Sequence, residues 1–206
     1  NMVYCSKYLT GYIMNEKEQE FRDHIINKAK DILSRFGFNK TTMTDIAKAV
    51  NKAKSSIYYY FASKLEILRA VIDRESESMK EELTTAIKAQ ETPQDKLRAY
   101  VTTRINYLKK TVNFYNKVVG EYFQHYNFVD KAREKHFKDE LGIIKSILNE
   151  GKAQKSFMIK DIDATALAII TAIKGMEYPF VTDDTLSEKT NTDSLVDIML
   201  FGIVRR

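Results

Sequence analysis

The chain has one cysteine, two prolines and seven glycines in 206 residues. A lone thiol, Cys5, cannot close an internal disulfide, a usage that suits a reducing cytoplasm. Proline only at 93 and 179, few glycines and few alternating apolar–polar stretches argue against strands and tight hairpins and predict an all-α protein. No apolar run reaches the length of a membrane span, and nothing resembles a cleavable secretory signal, so no membrane partner is expected. A glycine-rich phosphate loop and an HExxH pattern are both missing, as is any sign of covalent catalysis; an enzyme is not expected. Glu121 and His125 stand four apart on one helical face, but two such groups do not make a site, and His136 lies eleven residues on. No metal or other cofactor is expected. His24, beside the apolar face of the first helix, reads as structural or exposed.

What is present is a localised charge. The net formal charge is +5, and the segment from Arg35 to Lys64 accounts for all of it: Arg35, Lys40, Lys48, Lys52, Lys54 and Lys64 stand against one acid, Asp45. Such an excess, confined to one short stretch, is the electrostatic footprint of a phosphate-binding face. Within it, Thr44 precedes the periodic run Ile46, Ala47 and Val50 and is an N-cap candidate, with Asp45 suited to the positive end of the helix dipole. The run breaks at Asn51, which tolerates the left-handed backbone of a sharp turn. A second short helix follows near Ser55, capped by Ser55 or Lys54, with Ile57, Tyr58 and Phe61 as its apolar contacts. Two short helices joined in this way make a helix-turn-helix.

In that motif the second helix enters the major groove with its N-terminal residues toward the base edges. Lys54, Ser55, Ser56 and Tyr59 are therefore candidates for reading bases. Thr44, Lys48 and Tyr60 are candidates for phosphates, which fix register without specifying sequence. Tyr58 and Phe61 have the spacing of core residues.

The run of Phe36, Gly37, Thr42, Asp45-Ile46-Ala47, Ile57-Tyr58, Tyr60-Phe61, Ser63-Lys64 and Leu68 resembles the DNA-binding domain of tetracycline-repressor-type (TetR-family) regulators. Its Tyr-x-x-Phe-x-x-Lys signature is present as Tyr58, Phe61 and Lys64. The resemblance implies that Lys64 and the N-terminal end of its helix meet a phosphate. The turn position usually held by Gly is Asn51, the next is Lys52 where an apolar residue is usual, and Ser55-Ser56 replace the usual Gly-Thr pair. Base preference therefore does not carry over from relatives.

Around this segment the chain divides into an N-terminal extension (1–15), a helix-turn-helix domain (16–64) and a ligand-binding and dimerisation domain (65–206). Asn1 to Ile13 lack helical periodicity, and Met14 is an alternative start to Met2. A first helix from about Glu16 carries Phe21, Ile25, Ala29, Ile32, Leu33 and Phe36 on one face, with Gly37 capping its end. A long helix from Ser63 toward Ala89 carries Leu65, Leu68, Ile72, Met79, Leu83 and Ile87, and spans both units as a lever until Thr92-Pro93 ends it. Nine aromatics lie between Tyr100 and Phe137, on helices expected over 94–111, 114–126 and 129–151. Helical bundles hold ligands between such helices, and Arg104, Tyr107, Phe114, Tyr122, Phe123 and Tyr126 are the candidates, with His125 a further polar anchor. Ile162 to Val181 is apolar on more than one face, as is Ser194 to Val204. The resemblance implies that this last pair packs against its copy in a homodimer; burial within one monomer accounts for the first of the two equally well.

The expected protein is a cytoplasmic, dimeric regulator, a repressor released from a palindromic double-stranded DNA operator by a small apolar or aromatic effector. A ligand-carrying bundle whose helix-turn-helix does not act on DNA is the alternative.

Overall fold

The structure, a computed structural model, describes residues 15–119, 126–175 and 192–203, with side chains described except at 112–135, 192, 193, 195, 202 and 203. Among the described residues there are eight helices and no strand: α1 (Glu16–Lys40), α2 (Met43–Ala49), α3 (Lys54–Tyr60), α4 (Lys64–Lys88), α5 (Pro93–Val119), α6 (Tyr126–Ala153), α7 (Ile162–Gly175) and α8 (Thr192–Ile203). None of them is long and apolar enough to cross a membrane.

Helix α1 begins in a capping box, in which Asn15 Oδ1 accepts from the Glu18 N–H and Glu18 Oε2 accepts from the Asn15 N–H, each at 3.0 Å. At Gly37 the backbone takes φ 79°, so the helix breaks there as the sequence leads one to expect, and a last turn to Lys40 resumes beyond the kink. Only glycine adopts that φ without strain. The buried Thr41 closes the turn by donating to the Gly37 carbonyl at 2.6 Å.

Helix α4 spans two cores. Its first half supplies Ile67, Leu68, Val71 and Ile72 to a cluster with Ile25, Ile26, Leu33, Ile46 and Ile57. Its second half supplies Leu83, with Met79 and Ile87 alongside, to a bundle core with Leu97, Tyr100, Ile144, Leu148 and Ile170. Ile67 is fully buried where the periodic reading favoured Leu65, which is 36% exposed. The buried face here runs through Ile67, Leu68, Val71 and Ile72, which includes two residues of the expected stripe and leaves Leu65 at its edge.

Pro93 occupies the first turn of α5, with Thr92 Oγ1 accepting from the Asp95 N–H at 3.1 Å. The break expected between Thr111 and Phe114 does not occur, and α5 runs unbroken to Val119. Nothing there breaks a helix: Thr111 turns its hydroxyl back to the Tyr107 carbonyl at 2.8 Å, and no Gly or Pro stands between Thr111 and Phe114. Helix α5 touches α1, α4, α6 and α8, so it lies beside both the DNA-binding unit and the bundle.

Candidate DNA interface and ligand cavity

Helix α2 is capped by Thr42, a correction to the expected Thr44. Thr42 and Asp45 form a capping box, Asp45 N–H to Thr42 Oγ1 at 3.2 Å and Thr42 N–H to Asp45 Oδ2 at 2.9 Å. Asp45 is the residue that can answer a cap three positions back, so the helix starts two residues earlier and Thr44 already lies inside it. The Thr42 hydroxyl, donating at 2.7 Å, and then its backbone N–H hold the Asp45 carboxyl below its ordinary pKa, with Lys48 adding a smaller attraction. A carboxylate with a depressed folded-state pKa contributes stability that is present above its unfolded value and lost as pH falls through the folded one. An NMR titration should find the Asp45 midpoint below that of an ordinary aspartate in the wild type and higher in Thr42→Ala, which lacks only the hydroxyl; equal midpoints would rule out the hydroxyl as the main cause.

The turn after α2 is set by Asn51 at φ 52°, the left-handed conformation anticipated for it, with Lys52 N–H donating to the Ala47 carbonyl at 3.0 Å. Helix α3 begins at Lys54 after Ala53, which offers no side-chain cap, so neither Ser55 nor Lys54 serves as the cap expected from sequence. Ile57 and Phe61 are buried beneath α3 at 0% and 3% exposure, and Tyr58 is half-buried against the same cluster. Lys54, Ser55 and Tyr59 are exposed on the other side, with Ser56 and Tyr60 half-buried beside them. Thr44 and Lys48 are exposed one turn apart on α2. An open cleft lined by Phe21, Lys52, Ser55, Ser56, Tyr59 and Tyr60 separates α3 from the start of α1.

Two of the expected contacts have further partners. The Tyr60 ring meets Phe21 edge-on at 5.4 Å and packs on the core. Lys64 Nζ donates to the Phe38 carbonyl at 2.5 Å and the Thr41 carbonyl at 2.7 Å, and lies 4.1 Å from the Phe38 ring centroid. Its ammonium thus ties the end of α1 to the start of α4.

In the bundle, a cavity of about 30 Å3, room for one water, is lined by Glu75, Arg104, Tyr107, Thr111, His136, Phe137, Glu140 and Lys174 among others. Arg104 and Tyr107, two of the six candidate ligand residues, are brought together here. Phe114 and Tyr126 lie on described helices, but their side chains fall outside the described residues, as do Tyr122, Phe123, Glu121 and His125 altogether. Arg104 Nε donates to Glu140 Oε1 at 2.8 Å, and the Tyr100 hydroxyl donates to the same oxygen at 2.8 Å. The Tyr107 hydroxyl donates to the Glu75 carbonyl at 2.8 Å, and the Glu75 carboxylate pairs with Lys30 of α1 at 2.7 Å. A polar path, buried at Tyr107 and Glu75 and open to solvent at Lys30, thus joins α5 to α1 through α4. His136 pairs with Asp73 at 3.1 Å, and His24 is exposed. Among the described residues no three His, Cys, Asp or Glu side chains gather as metal ligands.

Glu75 and Glu140 were not singled out from sequence, although a signal existed. Glu75 follows Ile72 by three on the buried face of α4, and Glu140 precedes Ile144 and Ile147 by four and seven, so each is an acid inside an apolar stripe. An acid held there needs a buried partner.

An N-terminal helix-turn-helix with an exposed basic and hydroxylic face, joined by a shared helix to a helical bundle with its own cavity, defines a DNA-binding transcriptional regulator. Residues 25–71 match the model of the tetR family of bacterial regulatory proteins. The match ends where α4 leaves the first core. The HTH-type transcriptional regulator QacR of Staphylococcus aureus is 22% identical over 174 residues, 82% of this chain and 89% of QacR. IcaR of Staphylococcus epidermidis, a negative transcriptional regulator of the biofilm operon icaADBC, is 40% identical over 52 residues. That likeness covers 25% of this chain and 28% of IcaR. A TetR transcription regulator from Haloarcula marismortui superposes with a TM-score of 0.78 at 17% identity, over 91% of this chain and 100% of its own, a likeness of fold.

Proposed function

We propose that this protein is a ligand-responsive repressor that binds a palindromic operator as a homodimer and leaves it when a small effector enters the bundle. The observation that carries the reading is α3: Ile57 and Phe61 anchor it from below, while Lys54, Ser55 and Tyr59 are exposed on the segment that holds the chain's excess positive charge. Lys54, Ser55, Ser56 and Tyr59 read bases, and Thr44, Lys48 and Tyr60 contact phosphates. Lys64 supports the phosphate face by fixing the α1–α4 junction. The name of IcaR, a negative transcriptional regulator, favours repression, which acts in the cytoplasm where the DNA is.

Dimerisation is supported by α7 and α8. Leu167 is 50%, Ile198 73% and Phe201 72% exposed, with Ala164, Ala168 and Ala172 open beside Leu167. Large apolar side chains so exposed on two helices of one bundle suit a symmetric four-helix contact. Leu167→Glu combined with Phe201→Glu should shift sedimentation from dimer to monomer and abolish tight operator binding; a dimer that persists would place the interface elsewhere. For the effector, the Arg104 and Tyr107 cavity lies on the path to α1, so a ligand that enlarges it would disturb Glu75 and Lys30 and with them the setting of the helix-turn-helix. Selection of duplexes from a randomised pool tests the whole reading: an inverted repeat should emerge, whereas enrichment of no sequence would refute it.

A further inference from the structure

The cleft between α1 and α3 contains one contact that the helix-turn-helix does not require. The Tyr59 hydroxyl donates to Glu18 Oε1 at 2.9 Å, across 41 residues of sequence. Glu18 is held in turn: its other oxygen accepts from the Asn15 N–H at 3.0 Å, and its own N–H donates to Asn15 Oδ1 at 3.0 Å. The capping box that starts α1 therefore also orients a carboxylate toward the exposed end of α3. The Tyr59 ring is steadied from the other side, edge-on against Tyr60 at 4.9 Å, which itself rests on Phe21 of α1 at 5.4 Å.

A tyrosine hydroxyl has one proton to give and lone pairs to accept with. A carboxylate is a stronger acceptor for that proton than a neutral base edge, because the bond is charge-assisted. With its proton committed to Glu18, Tyr59 can offer DNA only an acceptor. In the major groove adenine N6 and cytosine N4 are donors, whereas guanine O6 and N7 and thymine O4 are acceptors. An acceptor-only hydroxyl also has no proton for a phosphate oxygen, and the neighbouring carboxylate repels one.

We propose that Glu18 is a positioning residue that fixes Tyr59 as a hydrogen-bond acceptor, so that Tyr59 selects an exocyclic amine, that of adenine or cytosine, at one base position in each half-site. The proposal rests on α3 being the recognition helix. It adds a residue of α1, outside the helix-turn-helix, to the determinants of sequence preference.

The test uses the full chain and a pool of randomised duplexes, comparing base preferences of the wild type, Tyr59→Phe, Glu18→Ala, the double variant and Asn15→Ala. At one base pair per half-site the preference for adenine or cytosine should fall about fivefold in Tyr59→Phe, the worth of one neutral hydrogen bond. Glu18→Ala should lose the same preference at the same position, while its binding to unrelated duplexes rises because an acid has left the DNA face. The double variant should lose no more than either single one. Asn15→Ala loosens the same helix cap without removing the acceptor, so it should lower thermal stability as Glu18→Ala does yet keep the preference. A Glu18→Ala profile identical to wild type at every position, or a preference lost equally in Asn15→Ala, would overturn the proposal. If the wild type enriched no sequence at all, the recognition-helix reading would fall first and this proposal with it.

Discussion

Glu140→Ala is expected to lower the free energy of unfolding by about 3 to 5 kcal/mol, the usual cost of removing one partner of a buried ion pair. Its carboxylate and Arg104 are 6% and 5% exposed, and it also accepts a hydrogen bond from the hydroxyl of Tyr100, a residue that is 0% exposed. The substitution deprives a guanidinium and a phenol of one shared acceptor and opens a void beside an existing cavity. The pair Lys110–Glu82 is an internal control, because its side chains are 63% and 41% exposed. Glu82→Ala should change stability by no more than about 1 kcal/mol, since solvent screens that pair. Urea denaturation of both variants measures the difference. Equal losses would mean that the Arg104–Glu140 pair is open to water.

Replacing Lys64 by Met is the second large effect. Methionine keeps much of the aliphatic stem but gives no proton to the Phe38 and Thr41 carbonyls and no charge to the Phe38 ring. Two hydrogen bonds from a charged donor in a half-buried position are worth about 2 to 3 kcal/mol together. Lys64→Met should therefore lower stability by about that amount, and weaken DNA binding chiefly by loosening the α1–α4 junction. Stabilising the variant with glycerol or low temperature should restore much of the binding. If stability is unchanged while affinity falls uniformly across sequences, the ammonium serves a phosphate and its intramolecular bonds give way on DNA.

The helix-turn-helix was legible in sequence because its information is local. Asn51 at a left-handed turn, Phe61 and Ile57 as core, and Ser63 starting the long helix follow from spacing within a few residues. The cap of α2 was misplaced by two residues because Thr42 and Thr44 are both cap formers, and only the reciprocal reach of Asp45 decides between them. The partners of Glu18, Lys64, Glu75 and Glu140 were not legible, since they lie 41, 23 to 26, 32 to 45 and 36 to 40 residues away. Periodicity indicates which face of a helix is buried, but not which residue of another helix waits opposite it. The continuous α5 was missed for a different reason. The residues Thr111-Val112-Asn113 have low helix propensity, but the Thr111 hydroxyl bonds back to the Tyr107 carbonyl and the helix continues.

The central claim is that the face formed by Lys48, Lys54 and Tyr59 binds DNA and reads it. It is tested most directly by titrating the full chain onto its selected duplex and onto a scrambled one over a range of salt concentrations, as wild type and as the Lys48→Ala, Lys54→Ala, Tyr59→Ala triple variant. The wild type should prefer the selected duplex by about a thousandfold or more and lose affinity steeply with salt. The triple variant, folded to the same extent by circular dichroism, should lose that preference and show a shallower salt slope. A folded triple variant with wild-type preference and slope would contradict the assignment.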